Sequence, residues 1–531
     1  MMDLLHINAI LEALTEKQLF VVVLLLRLTS ACLMKTYFVP DETWQSTEVA
    51  HKLVFGYGFM TWEWIVGLRT YMHPLMFAFL FHCLKAAGLD NPQAIIIIPR
   101  IAQAILTGLG EWYFYQLIKK YFGGKMAVIT LTSLCLSWCW FYCGCRTLIN
   151  TIEAALTCVA LYFYPWEATW NDQAKHKSYH FAVIASVALV LRPTSAIIWL
   201  PLYVHLFFTH FLNTSLFTFF KYIVKLGCIF SIIFVTSILT DRWCYGRWVF
   251  VHYKFLQFNV LSGKSVYFGR NEWHWYITQG VPIVTATHLP LVLHGIFITV
   301  VKALKVHVTT KISRMFLMLI IATIVMYSFI GHKEFRFILN LIPLFCFFCG
   351  VSICSLSLRG KAYAMIWLAS TNVPMAYYFS VIHQSGPDAV LNFLQQRVGL
   401  ADALPHNAQP FAFFLMPCHS TPYYSYLHHN LTMQFLTCHE SLKLSNHEEV
   451  MDEDDEFYSD PRQWLEKNIL NSQTSPTGCS NAPMHIVLYD SLLKEIRRFI
   501  LQCYNVCFET FHTHFPERRI GRNMIVLCKP Q

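Results

Sequence analysis

Residues 18–50, QLFVVVLLLRLTSACLMKTYFVPDETWQSTEVA, join a long apolar run to an acidic turn. The apolar run, over 18–35, is long enough to cross the roughly 30 Å hydrocarbon core of a bilayer. A turn led by Pro40 comes directly after it, with Asp41 and Glu42 side by side. This part of the sequence therefore predicts a membrane-spanning helix that opens into an acidic loop at the membrane boundary.

The composition of the chain is that of a membrane protein. Of its 531 residues, 55% are hydrophobic and only 13% are charged, and the mean hydropathy is +0.43. These values exclude an ordinary soluble domain, in which about 25% of residues are charged. The net charge of +9 does not indicate nucleic-acid binding, because Lys and Arg are scattered between apolar runs. The N-terminus lacks the features of a cleaved signal peptide, so we expect the first span to be retained.

Further apolar runs predict an all-α polytopic membrane protein. With the first span, the candidates are 18–35, 94–117, 126–145, 147–165, 179–192, 194–211, 216–240, 281–301, 314–331, 335–357 and 361–382. A separate run at 74–88 has only about 15 residues, fewer than a normal span needs. We expect it to form a juxtamembrane or re-entrant helix.

The basic residues predict the orientation, provided that the run 74–88 does not cross the membrane. The basic clusters then fall on one face, which the positive-inside rule makes cytoplasmic: 119–125, 175–177, 302–314 and 359–361. The predicted domains are a cytosolic N-terminus with the first span (1–35), a first lumenal loop with juxtamembrane helices (36–93), a multispan bundle (94–382) and a lumenal C-terminal domain (383–531).

The C-terminal part is predicted to be a small α/β domain. FAFFLM (411–416), HIVLYD (485–490) and MIVLC (524–528) are typical of strands, and SLLKEIRRFILQC (491–503) has a helical period. The acidic run at 447–456 predicts a solvated, flexible segment. Disulfides are expected if this part faces an oxidising lumen; its cysteines are Cys418, Cys438, Cys479, Cys503, Cys507 and Cys528.

The acidic loop is the first candidate site. On a helix, Asp41, Gln45 and Glu48 share a face, since they are spaced by four and three residues. Spacing alone favours Asp41 as a helix cap. The functional alternative rests on residues further along the same loop, which combine large rings, a carboxylate and cations: Trp62, Glu63, Trp64, Arg69 and His73. Trp62 and Trp64 are equally typical of an interfacial aromatic belt.

A second candidate site is GHKEFRF, residues 331–337, in the break between two apolar runs. His332, Lys333 and Arg336 place cations at the lipid boundary, where a phosphate head group lies. Snorkelling side chains at a helix end would explain Lys333 and Arg336, but positive charge on the non-cytoplasmic side runs against the usual bias. Binding of a phosphate is therefore favoured. No HExxH or paired CxxC pattern occurs, and a metal site is not predicted.

Six stretches together resemble a known family. They are PDETWQSTEVAHKLVFGYGFMTWEW (40–64), GLRTYMHP (67–74), CRTLINTIEAALT (145–157), LRPTSAIIWLP (191–201), GHKEFRFILNLIP (331–343) and MPCHSTPYYSYLH (416–428). The chain resembles the endoplasmic-reticulum mannosyltransferases that use dolichyl-phosphate mannose, glycosyltransferase family 22. The TWEW block and MPCHSTPYYSYLH are most similar to the branch that acts in glycosylphosphatidylinositol (GPI) anchor synthesis.

The resemblance implies a GT-C fold, in which a multispan helical bundle presents an acidic first lumenal loop to a lipid-linked sugar. It implies transfer of a third mannose, in α-1,2 linkage and with inversion, from dolichyl-phosphate mannose to a two-mannose GPI precursor. The implied catalytic base is Asp41, with Glu42 beside it. The implied phosphate-binding residues are His332, Lys333, Arg336 and Arg69. The residues implied to contact the acceptor or the sugar are Gln45, Trp62, Glu63 and Trp64.

No cofactor is implied, and metal-independent transfer is expected. The implied partners are the two glycolipids and the endoplasmic-reticulum membrane, with no nucleic acid. The alternatives are a mannosyltransferase of N-glycan precursor assembly, a lipid or solute transporter, and a noncatalytic subunit. Two sequons occur, at Asn213 and Asn430, and only Asn430 is predicted to be lumenal and glycosylated.

Overall fold

A computed structural model describes residues 15–166, 172–264, 266, 269–301, 308–401, 410–438, 452–469 and 482–530. These residues form two compact units. The first unit comprises residues up to Cys32, Glu63–Met76 and Ile97–Ala376, and the second comprises Leu33–Trp62, Phe77–Ile96 and the chain from Tyr377. The start of the predicted first loop thus belongs to the same unit as the C-terminal part of the chain.

Helices account for most of the described chain. In chain order, the α-helices are α1 (Glu16–Leu33), α2 (Glu48–Phe55), α3 (Trp62–Val66), α4 (Met72–Ala87), α5 (Pro92–Phe122), α6 (Gly124–Leu136), α7 (Trp138–Cys143), α8 (Ile149–Phe163), α9 (Asp172–Leu191), α10 (Ala196–Asn213), α11 (Leu216–Tyr245), α12 (Val251–Leu256), α13 (Val281–Thr285), α14 (Leu289–Val301), α15 (Val308–Phe329), α16 (Ile342–Ser355), α17 (Leu358–Tyr377), α18 (Gly386–Gln395), α19 (Val398–Ala401), α20 (Tyr424–Leu427), α21 (Glu453–Ser459), α22 (Pro461–Asn468) and α23 (Asp490–Ile500).

Among the described residues, six helical stretches are long and apolar enough to cross a membrane: Pro92–Phe122, Pro193–Asn213, Leu216–Tyr245, Tyr276–Val301, Thr309–Phe329 and Phe335–Ser355. Each of them overlaps a predicted span. Shorter apolar helices occupy other predicted spans, as at Gly124–Leu136 and Ile149–Phe163. All but the last residue of the short run at 74–88 lies in the 16-residue helix α4. A helix of this length rises about 24 Å, less than the hydrocarbon core.

The span predicted over 126–145 is interrupted. Helix α6 ends at Leu136 and α7 begins at Trp138, because Ser137 has extended backbone angles and its side chain accepts a hydrogen bond from the Trp140 amide. Ser137 therefore acts as an N-cap in the middle of the apolar run. The apolar run could not predict this break, since Ser is common inside membrane helices.

A buried ion pair joins the first helices of the first unit. The Arg27 Nε atom lies 2.7 Å from Glu111 Oε1, and both side chains are fully buried. The indole N–H of Trp140 donates to the same carboxylate, and Arg27 Nη1 donates to the Trp140 carbonyl over 3.3 Å. Charges inside a membrane bundle are expensive unless they are paired, so this contact fixes α1, α5 and α7 together.

The second unit contains a five-stranded sheet, which confirms the predicted α/β fold of the C-terminal part. The strands are β1 (Ala412–Leu415), β2 (Met433–Phe435), β3 (His485–Tyr489), β4 (Asn505–Phe511) and β5 (Asn523–Cys528). Their order is β2-β1-β3-β5-β4, with β1 parallel to β2 and β3, and with β5 antiparallel to β3 and β4. Strands β2 and β4 were not predicted, because β2 is short and every residue of β4 is exposed or half-buried.

Part of the acidic run at 447–456 packs, contrary to expectation. Residues 447–451 lie outside the described chain, but Glu453–Ser459 form α21, whose Phe457 is fully buried. Arg519 explains why carboxylates are tolerated there, since its guanidinium lies 2.9 Å from Asp454 and 2.7 Å from Asp455. A counter-ion far along the chain, Arg519, thus partly compensates the charge of this segment.

Candidate functional site

The acidic turn begins a continuous helical segment in the second unit. Asp41 and Glu42 precede a π-helical turn over Thr43–Thr47, which leads directly into α2. Asp41 is half-buried, whereas Glu42 is 2% exposed and accepts a hydrogen bond from the Phe38 amide over 3.4 Å. The two neighbouring carboxylates therefore differ in accessibility, which the sequence could not reveal.

One face of this helical segment docks onto the stretch MPCHSTPYYSYLH, residues 416–428. Trp44, Glu48 and His51 lie on that face, four and three residues apart. The Trp44 indole donates to the Thr421 carbonyl over 3.0 Å, and His51 Nε2 lies 2.9 Å from Nδ1 of His428. Residues 416–428 thus hold the helix that comes after Asp41, so the two motifs form one structural element.

Glu48 is the centre of this contact. Its Oε1 accepts hydrogen bonds from the Tyr423 amide at 2.7 Å and from the Ser425 hydroxyl at 2.7 Å. The side chain is fully buried. Burial raises the pKa of Glu48 from 4.5 to about 7, and these hydrogen bonds limit the rise. Through these contacts Glu48 positions the helix on residues 416–428.

Replacing Glu48 with glutamine is expected to flatten the pH dependence of stability. Since its pKa is higher in the folded chain, the folded state holds a proton that the unfolded chain releases above pH 4.5. The wild type should therefore lose stability, by at most roughly 3 kcal/mol, as pH rises from about 4.5 to 7. Thermal unfolding of the detergent-solubilised protein across this range measures the effect.

The exposed Glu466 offers a matched control for that measurement. The Glu466→Gln variant should keep the wild-type pH profile, whereas Glu48→Gln should lose the fall between about pH 4.5 and 7. An identical slope in both variants would show that Glu48 is not protonated in the folded protein.

The TWEW block is fixed within the first unit from Glu63 onward. Glu63 Oε1 accepts from Arg69 at Nη2 (2.6 Å) and at Nε (3.1 Å). Trp64 is buried, with its ring 4.8 Å from that of Tyr71. Trp62, at the end of the segment Leu33–Trp62 of the second unit, is half-buried. Of the four predicted sugar contacts, Trp62 is thus more accessible than Trp64 and the 7%-exposed Gln45.

Asp241 is a functional candidate that sequence reasoning missed. It lies near the end of α11, is buried, and its Oδ1 accepts from the Tyr71 amide at 2.8 Å and from the Thr70 hydroxyl at 3.1 Å. The Tyr245 hydroxyl donates to the Arg69 carbonyl over 2.7 Å. These contacts anchor the loop after TWEW to α11. The available signal was a carboxylate at the end of a long apolar run.

The cationic break at 331–337 is internally paired. Arg336 donates two hydrogen bonds of 2.6 Å to the Glu334 carboxylate. His332 Nε2 lies 2.8 Å from Oε1 of Glu334. Lys333 is buried, and its ammonium donates to the Asn271 carbonyl at 2.9 Å and to the Ile330 carbonyl at 2.6 Å. Burial alone would raise the pKa of Glu334, but Arg336 and His332 hold that pKa well below its ordinary value.

A second ion pair lies beside this break. The Arg192 guanidinium forms a salt bridge with Glu153, whose Oε1 also accepts from the Ser195 hydroxyl at 2.7 Å. Both guanidinium groups, of Arg192 and Arg336, lie over the ring of Phe337, at 5.2 and 5.5 Å from its centroid. The structure thus brings Arg192 to the predicted phosphate site.

Among the described residues, one group has ligand atoms close enough to hold a metal ion. It consists of Cys418, His419 and Cys438, whose ligand atoms all lie within 4.8 Å of one another. The two thiols of that group are joined as a disulfide, as are Cys507 and Cys528. Because metal ligation requires thiolates, the group does not fit a metal ion in this state.

Comparisons with known proteins place the chain among glycosyltransferases. The profile of the Alg9-like mannosyltransferase family matches residues 18–428. GPI alpha-1,2-mannosyltransferase 3 of Danio rerio is 39% identical over 513 residues, which is 96% of this chain and 89% of the relative. The Homo sapiens protein of the same name is 36% identical over 506 residues, covering 94% of this chain and 85% of the relative.

A similar fold occurs in the crystal structure of ArnT from Cupriavidus metallidurans bound to undecaprenyl phosphate. The TM-score is 0.58 at 15% identity, and the match covers 97% of this chain and 99% of ArnT. This likeness confirms the predicted multispan helical GT-C fold class. This likeness and the profile match over residues 18–428 together show that the chain belongs to the Alg9-like mannosyltransferase family and is a multi-pass membrane glycosyltransferase.

Proposed function

We propose that this enzyme transfers the third mannose, in α-1,2 linkage, from dolichyl-phosphate mannose to a two-mannose GPI precursor in the endoplasmic-reticulum lumen. The observation that carries the proposal is near full-length similarity to proteins named GPI alpha-1,2-mannosyltransferase 3, at 36–39% identity. A transporter is disfavoured, because the family that matches this chain is described as a mannosyltransferase family.

The proposed reaction is a single in-line displacement. The donor mannose is β-linked to phosphate and the product linkage is α, so one attack by the acceptor hydroxyl inverts the anomeric carbon. A carboxylate must take the hydroxyl proton as the new bond forms. We assign this role to Asp41, because it is half-buried at the start of a rigidly held helix, whereas Glu42 is buried and bonded to the Phe38 amide.

The leaving group is dolichyl phosphate, on which negative charge develops as the sugar departs. We assign its stabilisation to Arg336 and His332, whose shared counter-ion Glu334 holds both in place. The Lys333 ammonium donates to two backbone carbonyl groups, and the Arg69 guanidinium is paired with Glu63. Both residues are therefore assigned supporting roles in stabilising the phosphate. These cations supply the positive charge, and transfer is proposed to need no metal cofactor.

Sugar contact is assigned first to Trp62, since half-buried aromatic rings can stack on a hexose. Gln45 and Trp64 are buried and are assigned to support of the loop. Glu63 is assigned to orientation of Arg69.

The test is transfer by the purified protein in EDTA-containing buffer. With dolichyl-phosphate mannose and a two-mannose GPI precursor, we expect a three-mannose product whose new residue is released by an α-1,2-mannosidase. Transfer to a dolichol-linked oligosaccharide instead would assign the enzyme to N-glycan precursor assembly.

The proposed topology makes a separate prediction about glycosylation. Both sequon asparagines, Asn213 and Asn430, are exposed, so accessibility does not distinguish them. Only Asn430 is proposed to face the lumen, in the unit that carries the Cys418–Cys438 and Cys507–Cys528 disulfides. An N-glycosidase mobility shift should vanish in Asn430→Gln and persist in Asn213→Gln. The reverse pattern would overturn the topology.

A further inference from the structure

The loop between β4 and β5, residues 512–522, presents an aromatic ring to the outside of the second unit. Phe515 is 65% exposed. The loop closes where the Arg522 carbonyl accepts from the amides of His512, at 2.8 Å, and Thr513, at 3.1 Å. The Phe515 amide donates to the Thr513 hydroxyl over 3.0 Å. These contacts fix the backbone of the β4–β5 loop, so the exposed ring belongs to a defined surface.

The turn that directly follows α17 holds the β4–β5 loop. The Tyr378 hydroxyl lies 2.8 Å from Nδ1 of His514. The Thr513 hydroxyl lies 3.3 Å from Nδ1 of His383, whose ring centroid is 6.1 Å from that of Phe515. Because Tyr378 is the first residue after α17, the loop lies next to the point where that helix ends.

Helix α17 carries a stripe of exposed apolar and aromatic side chains that ends at Tyr377. Its members are Tyr363, Trp367, Val373 and Tyr377, each more than half exposed. At 3.6 residues per turn, these positions fall within an arc of about 120° around the helix. In a chain of this composition such a stripe faces lipid. Tyr377 and Tyr378 then mark a membrane boundary, where tyrosine is enriched.

The charges of the β4–β5 loop fit a phospholipid surface better than a protein partner. Arg518 and Arg522 are exposed, and the loop contains one acidic residue, Glu517. Guanidinium groups bind phosphate through paired hydrogen bonds. A stable protein interface needs roughly 800 Å² on each partner, whereas one aromatic side chain buries about 150–250 Å². A single ring between basic side chains is therefore suited to the membrane interface.

We propose that the β4–β5 loop docks on the lumenal surface of the membrane, with the Phe515 ring in the interface and Arg518 and Arg522 at phospholipid phosphates. The inference uses the proposed topology for the side of the membrane and does not depend on the identity of the substrates. Asp41 belongs to the same compact unit as this loop. Docking therefore helps to set the height of the acidic turn above the membrane.

Val506 offers a matched control position within the same sheet. It lies near the start of β4 and is 46% exposed, whereas Phe515 follows the end of that strand. The strand from Val506 to Phe511 separates the two regions by roughly 17 Å. The head-group layer on each side of a bilayer is only about 5–8 Å thick. A probe at one position can therefore contact lipid while a probe at the other does not.

The first measurement places photoreactive benzoylphenylalanine at position 515 or at position 506 of the full-length protein. The protein is held in nanodiscs of phosphatidylcholine and phosphatidylinositol, and adducts are identified by mass spectrometry. We expect lipid adducts from position 515, with about tenfold fewer from position 506, which lies beyond the head-group layer. Equal lipid adducts from both positions, no lipid adduct from position 515, or adducts there only to protein would overturn the proposal.

The second measurement reverses the two charges, by Arg518→Glu with Arg522→Glu, and keeps the probe at position 515. Both side chains are exposed, so we expect the fold to be retained. Lipid adducts should fall about tenfold or more, since each basic residue near an anionic surface contributes roughly a factor of five. An unchanged adduct yield would contradict the phosphate contacts. Neither measurement requires mannose transfer, so failure of the proposed function would leave both results valid.

Discussion

Replacing Asp41 with alanine is expected to lower the rate of mannose transfer by at least about a hundredfold while the protein level stays normal. The reason is that a positioned general base typically contributes about 10²–10⁴ to the rate. Asp41 is half-buried rather than part of the core, so we expect its replacement to leave the fold intact. Transfer in microsomes at saturating donor, normalised to the amount of folded protein, measures the effect.

The matched variants are Asp41→Asn, which keeps the size of the side chain, and Glu42→Gln. Asp41→Asn should be as inactive as Asp41→Ala, because an amide cannot accept the proton. Glu42→Gln keeps an oxygen that can accept the Phe38 amide hydrogen bond and should retain most activity. Full activity of Asp41→Asn would remove Asp41 as the base, and loss in Glu42→Gln alone would transfer the role to Glu42.

Replacing Arg336 with alanine is expected to have two separable effects. First, Glu334 loses both hydrogen bonds from Arg336 and keeps only its contact with His332; losing hydrogen bonds to a charged group costs about 1.5–3 kcal/mol, so the folded yield should fall. Second, the donor phosphate loses a cation, so KM for dolichyl-phosphate mannose should rise among the molecules that do fold.

The double variant Arg336→Ala with Glu334→Ala separates these effects. Removal of both charges leaves neither one unpaired, so the folded yield should recover. Donor KM should remain high, because the phosphate-binding guanidinium is still absent. Recovery of a wild-type KM in the double variant would show that Arg336 only neutralises Glu334 and has no part in donor binding.

The pairing of these cations also bears on the unusual position of the positive residues in GHKEFRF. Positive residues in GHKEFRF run against the positive-inside rule if the break is lumenal. Glu334 compensates Arg336 and His332, and backbone carbonyls surround the Lys333 ammonium. With one carboxylate against Lys333 and Arg336, the segment carries a formal charge of only +1 when His332 is neutral, which weakens the charge bias itself as a reason for a phosphate site.

Local patterns predicted most of the long helices and three of the five described strands, but not the contacts that organise the site. Apolar runs located the long helices, and alternation and helical period located β1, β3, β5 and α23. The role of Glu48 could not be predicted, because its partners Tyr423 and Ser425 lie 375 and 377 residues away. The same holds for Asp241 with Thr70, and for Arg192 beside Phe337, since long-range contacts leave no periodic signal.

Cysteine pairing shows the same limit. The sequence indicated that the C-terminal cysteines could form disulfides, but cysteine positions alone do not determine connectivity. In the structure, Cys507 and Cys528 join the neighbouring strands β4 and β5, and Cys418 joins Cys438 across 20 residues. The pairing of β4 with β5 therefore brings Cys507 near Cys528, which the spacing along the chain could not reveal.

The lipid that accumulates in cells lacking this protein decides between the proposed acceptor and its nearest alternative. The proposed function predicts a GPI precursor stalled at two mannoses, which disappears when the wild type is restored and persists with Asp41→Ala. Accumulation of a truncated dolichol-linked oligosaccharide, with GPI precursors of normal size, would contradict the proposed function.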